Sequence, residues 1–150
     1  MGEGPSRATR PRPHDGAMQP DPGSPPPPLR VVVVDADDRV RESLTKLLCI
    51  GDRVEVVGSA GQTGPALDVV MATDPDVVVV DPRLPEVDGG LAFIRRLRSV
   101  APSVRVLVMG GTDTPRLAEL SETADGVVRK TFRASDLLTA ILGAGLLVLL

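Results

Sequence analysis

VVVVDADDR at residues 31–39 and VVVVDPRLP at residues 77–85 each run four valines straight into an aspartate. Successive side chains of a strand point to opposite faces, so an unbroken valine run predicts a strand covered on both faces. The apolar runs are LRVVVV (29–34), RVEVVG (53–58), DVVVV (76–80), VRVLVM (104–109) and GVVR (126–129), and three of them are nearly continuous, as expected of parallel strands covered on both faces. Between them apolar residues recur at helical spacing. They are Val40, Leu44, Leu47 and Leu48; Leu67, Val70 and Met71; Leu91, Ile94 and Leu97; Leu117 and Leu120; Leu137, Leu138 and Ile141. Helix starts carry cap candidates in Asp37 or Asp38, Thr63 before Pro65, Asp88, Thr112 to Thr114 before Pro115, and Ser135. Five strands alternating with five helices predict an α/β fold, a doubly wound five-stranded parallel sheet.

The chain has 150 residues, 42% hydrophobic and 25% charged, which suits one domain. Residues 1–28 hold nine of the fifteen prolines and four of the fifteen glycines, so they are expected to be a disordered tail ending in the stiff PPPP of 25–28. The domain is expected over 29–142, followed by an uncharged apolar tail at 143–150. The apolar stretch 137–150 is too short for a usual membrane span of about 20 residues, so no span is predicted. A net charge of −3 and only two aromatic residues, Phe93 and Phe132, argue against direct nucleic-acid binding. The lone Cys49 excludes an internal disulfide, fits a reducing cytoplasmic setting and is expected to be buried in a helix. With a single His14, His-based metal sites and most His-based catalysis are out of reach.

In a doubly wound sheet, chemistry gathers beyond the carboxyl ends of the strands where the winding reverses. With the flavodoxin-like strand order 2-1-3-4-5, Asp35 and Asp81 end neighbouring strands at that switch point. Two carboxylates in one crevice raise each other's pKa unless a cation offsets them, and an all-oxygen donor set favours Mg²⁺. Lys130 ends the fifth run, GVVRK, and offers a point charge for a phosphoryl group. An aspartate nucleophile, a Mg²⁺ site and a lysine together can accept a phosphoryl group as an acyl phosphate. Taken one at a time, Asp35 as a helix cap, Asp81 as a loop acid and Lys130 as a surface lysine need no chemistry.

These residues carry a resemblance. DPRLPEVDGG (81–90) is similar to the phosphoacceptor loop of two-component response regulator receiver domains, Asp-x-x-Met-Pro-x-Met-Asp-Gly. RVRESLTKLL (39–48) and EVVGSA (55–60) resemble that family's first helix and second strand, and the likeness looks strongest to receivers of LuxR-type regulators. The resemblance implies that Asp81 takes a phosphoryl group from a histidine kinase or phosphotransfer protein. It implies Lys130 as the phosphoryl-binding cation, and Mg²⁺ on Asp35, Asp81 and the backbone carbonyl of Arg83, with Asp37 as a further candidate ligand. It also implies a signalling module rather than an enzyme, working through protein contacts that include a possible homodimer.

Three positions depart from the pattern. The family's usual second acid after the first strand is Ala36, the hydroxyl residue ending the fourth strand is Gly110, and the aromatic of the fifth strand is Val127. Thr112 can replace the missing hydroxyl only if the Gly110–Gly111 turn folds back. These losses keep open an alternative, a pseudo-receiver that serves as an interaction or dimerisation module without phosphate. A metal-dependent phosphatase of similar architecture is disfavoured, because Arg83 stands where its second acid belongs.

Overall fold

The computed structural model describes residues 23–24, 26–85, 89–110, 114, 116–129 and 134–149, with residues 134 and 145–149 described by backbone alone. In chain order the elements are β1 Leu29–Val34, α1 Asp38–Leu48, β2 Val54–Ala60, α2 Thr63–Thr73, β3 Val77–Val80, α3 Gly89–Val100, β4 Arg105–Gly110, α4 Leu117–Thr123, β5 Gly126–Arg129 and α5 Ala134–Leu149. All strand pairs are parallel, and the sheet order is β2-β1-β3-β4-β5. The chain winds outward from β1 to β2, then returns to β3 and continues through β4 to β5. The direction of winding therefore reverses between β1 and β3, as the two valine tracts predict.

The valines show why those tracts are uninterrupted. Val31, Val33, Val77 and Val79 join Leu107, Met109, Leu137 and Ile141 in the core layer beneath α1 and α5. Val32, Val34, Val78 and Val80 join Val106, Val108, Phe93 and Ile94 in the layer beneath α2, α3 and α4. All eight valines are fully buried, and each contributes on the order of 1.5 kcal/mol through loss of apolar surface to water. β1 and β3 are consequently the rigid centre of the sheet. One irregularity interrupts this regularity, a register shift where Val31 pairs with Val56 but Val32 pairs with Gly58.

At the amino end of the sheet Asp125 acts as a hub. Its carboxylate accepts hydrogen bonds from Arg98 Nη2 (2.7 Å), the Val106 N–H (2.7 Å) and Arg105 Nη1 (3.3 Å). Arg98 also donates to the carbonyls of Thr123 and Val104, which ties α3 to the ends of α4 and β4. Burial alone would raise the Asp125 pKa, but the bonds and charge of Arg98, the Val106 amide and Arg105 outweigh it and hold the carboxyl below its usual value.

Several helix ends differ from the sequence expectation. Asp37 caps α1, but Thr63 begins α2 after an uncapped Gln62, α4 begins at Leu117 after Arg116 rather than at the threonines, and Ser135 lies inside α5. Cys49 is exposed, because α1 ends at Leu48 and the cysteine falls just past its last turn. Leu47 and Met71 are also exposed, on the outer faces of α1 and α2. Residues 143–149 of the expected apolar tail are helical. α5 runs on to Leu149, since Gly143 weakens a helix without breaking it and no proline follows. Among the described residues no helix is long and apolar enough to cross a membrane. The expected tail at 1–28 lies almost wholly outside the described residues, as do Asp88, Thr112 and Pro115.

Candidate functional site

The backbone ladder delivers the two aspartates. The Asp35 N–H donates to the Ala60 carbonyl (3.1 Å), extending the β1–β2 pairing by one residue, and the Asp81 N–H donates to the Val34 carbonyl (2.8 Å), extending β3 against β1. Val34 pairs with Val80, so the residues that follow them stand side by side on neighbouring strands, which lie about 4.8 Å apart. Each of these aspartates is 3% exposed. Each also closes the same small turn. Asp35 Oδ1 accepts the Asp37 N–H and Asp81 Oδ1 accepts the Arg83 N–H, both at 2.9 Å. Such turns, in which an aspartate binds the amide two residues on, fix the side-chain rotamer and steer the chain out of the strand. The two VVVVD tracts thus end in one shared local device, in adjacent positions at the switch point.

Neighbouring groups define the rim. Arg83 Nε lies 3.6 Å from Asp81 Oδ1, with the Arg83 side chain 52% exposed, so the pair is largely screened and contributes at most about 1 kcal/mol to stability. Arg41 reaches back from α1, donates through Nη1 to the Asp35 carbonyl (2.6 Å) and pairs with Asp38. A Cβ on Gly61 would lie 2.4 Å from that same Nη1, so the missing side chain leaves the space the guanidinium occupies. Asp37 is exposed, and its Oδ1 accepts the N–H groups of Arg39 (2.9 Å) and Val40 (3.4 Å), which gives it the N-cap role at α1.

The donor set suits Mg²⁺. Asp35 and Asp81 supply hard carboxylate oxygens, and the main chain at Arg83 is held beside Asp81 by its own amide. Among the described residues no group of three or more Asp, Glu, His or Cys side chains forms a metal cage. Mg²⁺ is well served by one or two carboxylates together with water and a phosphate, whereas Ca²⁺ or Zn²⁺ would demand a fuller protein shell.

The structure brings Asp35 and Asp81 together with Arg83 beside them. Lys130 follows β5 directly but lies outside the described residues. Ala36 is exposed at the turn, and Val127 stands partly exposed on β5. At the end of β4 a buried hydroxyl that sequence reasoning overlooked comes close to the position that has no side chain. Thr114 is 9% exposed, and its Oγ1 lies 3.0 Å from where a Cβ on Gly110 would sit. Distance along the chain favours Thr112, and nothing in the sequence signals that the later threonine turns inward. Arg41 was missed for a similar reason, since its helical position marks it as a surface residue.

Comparison with known proteins gives the family and the fold. Residues 31–142 match the response regulator receiver domain family. Response regulator MprA of Mycolicibacterium vanbaalenii is 38% identical over 114 residues, covering 74% of this chain and 48% of that protein. The DNA-binding transcriptional activator DevR/DosR of Mycobacterium tuberculosis is 35% identical over 121 residues, covering 78% of this chain and 55% of the relative. The chain therefore spans about half the length of the curated relatives it matches. The signal receiver domain of NarL from Mycobacterium tuberculosis superposes with a TM-score of 0.73 at 30% identity, over 80% of this chain and 98% of that one. A LuxR-family two-component response regulator from Aurantimonas sp. gives a TM-score of 0.72 at 29% identity, over 79% and 86% of the respective chains.

Proposed function

Since this chain belongs to the response regulator receiver family, we propose that it is a phosphoacceptor module of a two-component phosphorelay with Asp81 as the acceptor. The observation that carries this reading is the pair of buried carboxylates, Asp35 and Asp81, held side by side at the switch point by matching turns. A carboxylate oxygen of Asp81 forms a bond to phosphorus as the bond from phosphorus to the imidazole nitrogen of a partner's phosphohistidine breaks. That nitrogen keeps the electron pair and takes up a proton. Bound Mg²⁺ would offset the negative charge that gathers between the carboxylates and the phosphoryl oxygens.

Asp35, Asp81 and the Arg83 carbonyl would hold that ion. Asp81 is pre-aimed, because its rotamer is fixed by the Arg83 amide before any phosphodonor arrives. Lys130, one residue beyond β5, would bind a phosphoryl oxygen as a point charge. The chain works in the cytoplasm, its partners are a histidine kinase or phosphotransfer protein, and output passes through protein contacts, with a homodimer among them.

A second reading is favoured by particular residues. Ala36 supplies no second acid, Gly110 has no side chain, and Val127 has no aromatic ring to move, so the contacts that would distinguish two states are fewer. A pseudo-receiver that binds partners without phosphate fits those three positions. Acetyl phosphate separates the readings. Intact mass of the native chain and of Asp81→Asn is measured after incubation with and without Mg²⁺. A Mg²⁺-dependent gain of one phosphoryl group that the mutant lacks supports the phosphoacceptor. No gain under conditions that label an ordinary receiver supports the pseudo-receiver.

A further inference from the structure

We propose that Gly90 is a positioning residue for the Asp81 site, an inference that rests on the phosphoacceptor reading. α3 opens with Gly89 and Gly90, both buried. A Cβ added to Gly90 would lie 2.4 Å from Pro82 Cα, 2.5 Å from the Pro82 carbonyl oxygen and 2.6 Å from Pro82 Cβ. These are backbone and ring atoms with no rotamer to yield, and the separations are shorter than real Cβ contacts. The backbone of Gly90 does not have a positive φ, so conformational freedom does not explain the glycine. Alanine would be the better residue in a helical turn, which leaves close approach as the reason.

The consequence of crowding at Gly90 follows from what is anchored. On one side α3 is fixed by Phe93, Ile94 and Leu97, all fully buried, and by the Arg98 bonds to Thr123, Val104 and Asp125. On the other side β3 is held by its central pairing, and Asp81 itself by the bond to Val34. The segment left to move is Pro82–Arg83. It carries the amide that fixes Asp81 Oδ1 and the carbonyl that would be the third oxygen of the Mg²⁺ site. A side chain at residue 90 therefore acts on the geometry around the acceptor carboxylate more than on the fold.

The test uses the full chain as wild type, Gly90→Ala, Gly58→Ala and Gly64→Ala. Gly58→Ala places a clash away from the site, with its Cβ 2.5 Å from the side-chain methyl Val69 Cγ1 between β2 and α2, and Gly64→Ala meets nothing within 4 Å. Three quantities are measured: Mg²⁺ affinity by calorimetry, the acetyl phosphate labelling rate at saturating Mg²⁺ by intact mass, and the urea midpoint by circular dichroism. Gly90→Ala is expected to weaken Mg²⁺ binding and slow labelling by about tenfold or more, since displacement of a reacting group by an ångström costs up to about a hundredfold. Gly58→Ala loses stability while keeping wild-type Mg²⁺ affinity and rate, and Gly64→Ala keeps all three. A folded Gly90→Ala with wild-type affinity and rate overturns the proposal. Should Gly90→Ala not fold, Pro82→Gly loosens the same segment from the other side. Reduced Mg²⁺ affinity in Pro82→Gly supports the proposal, and unchanged affinity overturns it. A wild type that neither binds Mg²⁺ nor takes up phosphoryl sinks the phosphoacceptor reading first and this inference with it.

Discussion

Replacing Asp125 by alanine should be among the most damaging single changes outside the apolar core. The carboxylate is 18% exposed and has three donors: Arg98 Nη2 and the Val106 N–H at 2.7 Å, and Arg105 Nη1 at 3.3 Å. Val106 is fully buried, so loss of its acceptor strands an amide at a cost of about 1–3 kcal/mol. The two guanidinium groups lose a half-screened counter-charge, worth roughly another 1 kcal/mol. Arg98 keeps its bonds to the Thr123 and Val104 carbonyls, which limits the damage on that side. The sum is about 3 kcal/mol, a large part of the roughly 5–15 kcal/mol stability of a small domain. Asp125→Asn retains an acceptor oxygen and should cost about half as much. Urea unfolding at neutral pH measures both, followed by far-ultraviolet circular dichroism because the chain has neither tryptophan nor tyrosine. The depressed folded-state pKa of Asp125 adds a pH signature. Its stabilisation is fully present above the unfolded value of about 3.9 and is lost as pH falls through the lower folded value. The gap between wild type and Asp125→Asn should therefore stay constant near neutrality and close below about pH 4. A loss under about 1 kcal/mol for Asp125→Ala, or a gap that widens on acidification, would refute the hub.

Three further outcomes follow from the site. Gly110→Thr alone should destabilise by about 1 kcal/mol because its Cβ crowds Thr114 Oγ1, and adding Thr114→Ala should recover much of the loss; strictly additive urea midpoints would show that the two positions do not meet. Asp37→Ala should lose about 1 kcal/mol of N-cap stabilisation yet keep its stabilisation by Mg²⁺, and disappearance of that response would instead make Asp37 a ligand. Mg²⁺ at ten times its dissociation constant should stabilise the native chain by about 1.4 kcal/mol, an increment that thermal unfolding of Asp35→Asn should lack.

Much of the site is legible because its logic is local. The carboxylates at 35 and 81 follow directly from strands that must end where the valines end, and Asp37 reads as a cap from its place before a helical period. The hydroxyl beside Gly110 does not, since the path of a loop is decided by what its residues pack against rather than by their spacing. Thr114 turns inward next to Leu117, while Thr112 is nearer in sequence. The same limit applies to Cys49, whose apolar neighbours suggested burial although its helix stops one residue short of it.

By itself, then, the sequence determined that β1 and β3 are central strands and that their ends carry two acids. A run of valines has no polar face, and only burial on both sides can accommodate it. Tertiary structure alone decided how α3 presses Gly90 against Pro82, how Arg41 fills the space over Gly61, and how far α5 continues past Gly143. Those outcomes depend on distances between segments far apart in the chain, set when two helix layers close on a sheet at near-crystalline density, and no local pattern encodes such distances.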